Sequence, residues 1–138
     1  MRFGLRPAQV SKTMTPFSLR FFQDNVANPT TRVTATSDPV PSNQRFIVEH
    51  ISGYFVVGTG WPVDLIWATD PFGQEVNLPT HFASRELNFG GALGIGVYHQ
   101  FGSPVTMYID GGSNITLNGD ANIAGQIFAV AIGQLVPM

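Results

Sequence analysis

The sequence predicts an all-β fold: a two-sheet antiparallel sandwich of jelly-roll topology, preceded by an extended N-terminal arm. Three observations carry this. Apolar stretches of strand length, about eight of them, recur from Arg45 onward. Turn residues punctuate them, since 15 Gly and 10 Pro cut the chain at short intervals. No stretch repeats its apolar residues with the period of an amphipathic helix. The 138 residues allow one domain of ordinary size.

Residues 1–44 hold five prolines, Pro7, Pro16, Pro29, Pro39 and Pro41, which nearly exclude helix there. Within them Phe17-Ser18-Leu19-Arg20-Phe21 alternates apolar and polar, and Arg32-Val33-Thr34-Ala35-Thr36 is β-branched and extended. Two strand-like segments therefore precede the body at residue 45. Such an arm cannot bury itself, so it docks on its own body, docks on a neighbour or stays disordered. Phe17, Leu19 and Phe21 fall on one side of it and are the candidate docking residues, with Arg20 and Arg32 set to meet carboxylates. The charge distribution fits: residues 1–45 carry six Arg and Lys against two Asp, whereas 46–138 carry Arg85 alone against seven Asp and Glu. A basic leading segment and an acidic body attract one another, within one chain or between neighbours.

In the body, strands are predicted over 46–57, 63–69, 75–78, 81–89, 93–101, 105–110, 114–117 and 126–136. Asp70-Pro71-Phe72-Gly73 fits a type I turn with Pro at its second position, Asp110-Gly111-Gly112-Ser113 reads as a turn, and Asn118-Gly119 suits a tight hairpin. Between 104 and 110, Val105, Met107 and Ile109 alternate with Thr106, Tyr108 and Asp110, which is the pattern of a sheet with one face in the core. The last segment differs. One face carries Phe128, Val130 and Ile132, and the other Ile127, Ala129, Ala131, Gly133 and Leu135, so both are apolar. The small-residue face, with Ala129, Ala131 and Gly133, is the expected oligomer interface, because small side chains let two sheets approach closely.

The search for chemistry returns no catalytic residues. With no Cys in the chain, disulfides, thiolate metal sites and thiol catalysis are excluded. His50, His81 and His99 fall on three predicted strands without metal-ligand spacing, and Asp110, Asn114, Asn118 and Asp120 lack the arrangement of an EF-hand. No serine sits in a nucleophile elbow, and no phosphate loop or dinucleotide fingerprint occurs. No metal and no cofactor is expected. Charged residues make up 12% of the chain against roughly 25% in an average protein, so the surface is mostly neutral and the basic residues too scattered to bind nucleic acid. Residues 87–109 carry no formal charge, yet their glycines and Pro104 break them too often for a membrane span. Trp61, Trp67, Tyr54, Tyr98 and Tyr108 could stack on sugar rings, with Trp67 expected in the core and Trp61 exposed in its Gly/Pro loop.

The stretch from Val40 through Phe46-Ile47-Val48-Glu49-His50, by way of Tyr98-His99-Gln100-Phe101 and Val105-Thr106-Met107-Tyr108-Ile109-Asp110, to Val130-Ala131-Ile132-Gly133-Gln134-Leu135-Val136 resembles small uncharacterised bacterial β-sandwich proteins. The resemblance covers about the last hundred residues, implies the fold and carries no catalytic motif. With the long basic arm added, the architecture is similar to phage decoration and coat-associated jelly rolls. That implies a non-enzymatic structural subunit that forms a homo-oligomer or decorates a larger protein assembly. The N-terminal Met1-Arg2-Phe3-Gly4-Leu5-Arg6-Pro7 lacks the apolar core of a secretory signal, so synthesis in the cytoplasm and incorporation into a virion or other particle are expected. The alternative is a carbohydrate-binding β-sandwich module, for which an exposed aromatic platform would be the discriminating feature.

Overall fold

The computed structural model describes residues 13–24, 32–58, 66–90, 94–120 and 125–138. Every regular element among them is a strand: β1 (Thr15–Asp24), β2 (Arg32–Thr36), β3 (Gln44–Gly58), β4 (Ile66–Thr69), β5 (Glu75–Asn77), β6 (Thr80–Gly90), β7 (Gly94–Asp110), β8 (Thr116–Asp120) and β9 (Gly125–Pro137). They form two antiparallel sheets, β1-β9-β3-β7-β6 and β2-β8-β4-β5, packed as a sandwich. Pairing is nested: β1 with β9, β2 with β8, β3 with β7, β4 with β5. A long hairpin rolled onto itself gives this order, and that is the jelly roll the spacing predicted. No helix among the described residues is long and apolar enough to cross a membrane.

The core lies between the sheets and follows the two-residue period. The large sheet contributes Leu19 and Phe21 from β1, Ile127, Ala129, Ala131 and Leu135 from β9, Phe46, Val48, Ile51, Phe55 and Val57 from β3, and Phe101, Met107 and Ile109 from β7. Facing them are Val33 and Ala35 of β2, Ile66 and Ala68 of β4, Leu117 of β8, and Ile115 and Leu78 beside the strands. Val105, Met107 and Ile109 thus point inward as read, and Tyr108 outward.

Two expectations change here. Residues 15–24 and 32–36 are not an arm beyond a separate body: they are strands of both sheets of the sandwich itself. Leu19 and Phe21 are buried, and Phe17, partly buried, meets Phe46 edge-on at 5.1 Å. The small-residue face of β9 is likewise not a surface. Ala129 and Ala131 are fully buried in this chain's own core, where small side chains leave room for the phenylalanines around them. Gly133 stands at the bulge of β3, where Val48 pairs with Gly133 and His50 with Ile132 while Glu49 is passed over. The two backbones approach so closely there that a Cβ on Gly133 would overlap the Ile47 carbonyl oxygen.

Three local readings also change. The break implied between the strands expected at 93–101 and 105–110, Gly102-Ser103-Pro104, does not form, and β7 runs straight through it. β6 begins opposite Phe101, so among the described residues the outer side of 102–110 has no neighbouring strand, and a proline without an N–H is tolerated there. Asn118 and Gly119 lie inside β8, where Gly119 pairs with Val33 and Ile66. Trp67 is buried but outside the core cluster, beneath the Arg32 guanidinium, which sits 4.7 Å from its ring centroid. The turns at 70–73 and 110–113 form as read: Gly73 N–H donates to the Asp70 carbonyl at 3.1 Å and Ser113 N–H to that of Asp110 at 3.0 Å. Gly73 (φ 86°) and Gly112 (φ 85°) take the left-handed backbone that favours glycine.

Candidate functional site

The electrostatic expectation for the N-terminal segment holds in half. Arg32 Nε donates to Asp120 Oδ1 at 3.0 Å, and Arg45 Nε to Asp110 Oδ1 at 2.7 Å, each pair tying an N-terminal residue to the acidic half of the same chain. Both are well exposed and worth about 0–1 kcal/mol each. Arg20 finds no carboxylate among the described residues; its cross-strand neighbour is Val130.

Among the described residues, no three His, Asp or Glu side chains converge as metal ligands. His99 is buried on the core side of β7, opposite Phe55, and desolvation by burial lowers its pKa below 6.5. His50 faces outward on β3, its two ring nitrogens buried and without a hydrogen-bond partner. The side chain of His81, and Trp61, lie outside what the structure describes.

Two surfaces carry exposed aromatic groups. The first is the outward face of the large sheet. There Phe22, Phe128 and Tyr54 lie in cross-strand register on β1, β9 and β3. Tyr54 is held between Phe128, stacked at 5.5 Å with planes 21° apart, and Tyr98, tilted at 4.8 Å and 54°. Tyr54 is thus engaged by a ring on each side and is only partly exposed, so this row is not an open stacking platform.

The second surface is a cleft of about 260 Å³ at the open edge of the sandwich, lined by Asp70, Phe72, Gln74, Val76, Thr106, Met107 and Tyr108. One wall is the turn between β4 and β5. Asp70 organises it, Oδ1 accepting from the N–H groups of Phe72 and Gln74, each at 2.9 Å, in an Asx arrangement that needs the Asp at the turn's first position. This fixes Phe72 at the tip, 79% exposed. The opposite wall is the stretch of β7 that β6 leaves uncovered, where Tyr108 is 54% exposed. An exposed phenyl ring and an exposed phenol therefore flank a hollow with a carboxylate, an amide and a hydroxyl in its lining. A sugar ring has C–H faces that pack on aromatic rings and a rim of hydroxyls that needs donors and acceptors, and this lining offers both. Tyr108 stands among the stacking candidates named from the sequence. Phe72 does not; its signal is its place at the tip of a Pro-containing turn.

No family model matches the sequence, and no curated protein does. Among solved structures, the chain is similar to the family 3a carbohydrate-binding module from the CipA scaffolding of Clostridium thermocellum, at 12% identity and a TM-score of 0.33, with 80% of this chain and 74% of that one covered. At that TM-score the likeness supports no inference, and the functional reading rests on this chain's own side chains.

Proposed function

We propose that this protein is a non-catalytic carbohydrate-binding jelly roll whose ligand enters the cleft between Phe72 and Tyr108. The observation that supports it most is the convergence of two exposed aromatic side chains, from different sheets, on one hollow with polar groups in its wall. The hollow is smaller than the roughly 300–1,000 Å³ of a drug-sized pocket, which suits a single ring or chain end and a modest affinity. Sparse charge across the surface fits a neutral ligand.

The test is retention on insoluble cellulose, chitin and xylan, together with a neutral oligosaccharide array. Wild type is expected to bind at least one of these, and Phe72→Ala and Tyr108→Ala each to weaken binding about tenfold or more, corresponding to about 1.4 kcal/mol or more. Phe22→Ala, on the other surface, leaves binding intact. Absence of binding to every glycan, or binding indifferent to both cleft substitutions, overturns the reading.

A further inference from the structure

The outward face of the large sheet is apolar beyond what a solvated sheet needs. Phe22 is 58% and Ile132 50% exposed, with Val130 and Phe128 between them on the same side of β1 and β9. Isolated exposed apolar residues need no explanation, but contiguous patches mark interaction surfaces.

The charges on this face say what the surface fits. Arg20, on β1 opposite Val130, is exposed and forms no ion pair among the described residues. Glu49, at the bulge of β3, is exposed and forms none among the described residues either. They flank β9 from opposite sides, two strands apart and more than two residues apart in register, which separates their backbone positions by about 13 Å. Ile132 lies between them and borders, with Pro16, Ser18, Glu49 and Gln134, a hollow of about 620 Å³. Around Ile132 the described residues thus place a cation and an anion that form no ion pair among them, a central apolar knob and a hollow beside the knob, while Arg45 and Asp110 further along the same face pair with each other; the patch is complementary to itself.

We infer that this face binds a second copy of the same chain in an isologous two-fold contact centred on Ile132. A two-fold axis in the plane of the contact sets Ile132 beside its counterpart, each entering the other's hollow. It also brings Arg20 onto the partner's Glu49, and Glu49 onto the partner's Arg20, so that one set of residues closes both ion pairs. The four strands β1, β9, β3 and β7, at about 4.8 Å spacing and roughly ten residues long, present a face on the order of 600 Å², near the ~800 Å² per partner of a standard interface. Tyr108 of the sugar cleft faces outward on β7, at the border of this face, and Phe72 reaches the cleft from the turn between β4 and β5.

Sedimentation equilibrium over a concentration series, with circular dichroism to confirm folding, tests this. Wild type is expected to dimerise. Ile132→Glu, Arg20→Glu and Glu49→Arg should each raise the dissociation constant about tenfold or more, the charge reversals because each sets like charges face to face. The double variant Arg20→Glu with Glu49→Arg should recover wild-type association to within a few-fold, and Phe72→Ala should leave it unchanged. A wild type that sediments as a monomer at the highest concentration reached overturns the inference. So does a folded charge-swap double variant that associates no better than the single reversals. Neither result bears on glycan retention.

Discussion

Phe55 shows how one residue can join two sheets. Its ring occupies space that two glycines leave free: a Cβ added at Gly119 would stand 2.6 Å from Phe55 Cε2, and one at Gly125 would stand 2.7 Å from Cε1. Gly119 is therefore a packing residue of the smaller sheet, although its place after Asn118 marks a hairpin turn in the sequence. Asn-Gly is a strong local signal for a turn, but the room needed by a phenylalanine from the other sheet is a tertiary demand that no local pattern reports. Gly119→Ala should overpack this contact and destabilise the fold by about 1–3 kcal/mol. Chemical denaturation reads that loss, and in Gly119→Ala with Phe55→Leu the two losses should sum to less than the separate effects, because the smaller side chain relieves the clash. Strict additivity would mean that the two residues do not compete for the space.

At the scale of the element, the turn between β4 and β5 is the part of the site most legible in the sequence. Asp70-Pro71-Phe72-Gly73 states its own geometry: Asp to accept backbone N–H groups, Pro to set φ, Gly to take the left-handed backbone. The other wall was hidden, because it depends on where β6 begins. Tyr108 is exposed at an open edge only since β6 begins opposite Phe101 while β7 continues to Asp110, and the Gly102-Ser103-Pro104 segment hid that continuation by resembling a turn. If the Asx bonds hold Phe72 in place, Asp70→Ala should weaken glycan binding several-fold and lower stability by about 1 kcal/mol. Asp70→Asn, whose amide oxygen accepts the same two bonds, should restore most of the stability. Thermal melts and retention assays on both variants check this, and an Asn variant as unstable as the Ala variant would show that the turn is not held by that oxygen.

For the whole molecule, the decisive feature is the nesting of strand pairs, which places the first strands beside the last. The sequence offered good reasons to separate residues 1–44 from the rest: five prolines, a polar Thr/Ser/Asn-rich stretch and a charge of opposite sign. Each has another origin in the rolled hairpin. β1 and β2 are the edge strands of their sheets, where Pro16 is tolerated because one side of the strand has no ladder to complete. The basic charge serves partly to pair Arg32 with Asp120 and Arg45 with Asp110 across the nested neighbours. The alternation in 17–21 marks one apolar face; what local pattern does not supply is the surface that face packs on, since long-range pairing is set by topology. Leu19, Phe21 and Val33 are each at most 5% exposed. At roughly 1.5–3 kcal/mol per large apolar side chain their burial contributes an amount comparable to the entire 5–15 kcal/mol by which a domain is stable. Removing β1 and β2 would also leave one edge of β9 and one edge of β8 unpaired. A chain beginning at residue 37 should therefore show no cooperative thermal transition and bind hydrophobic dyes, whereas the full chain melts in one step. If the truncated chain instead unfolds cooperatively with a native-like β spectrum, the first two strands are dispensable and the sandwich closes without them.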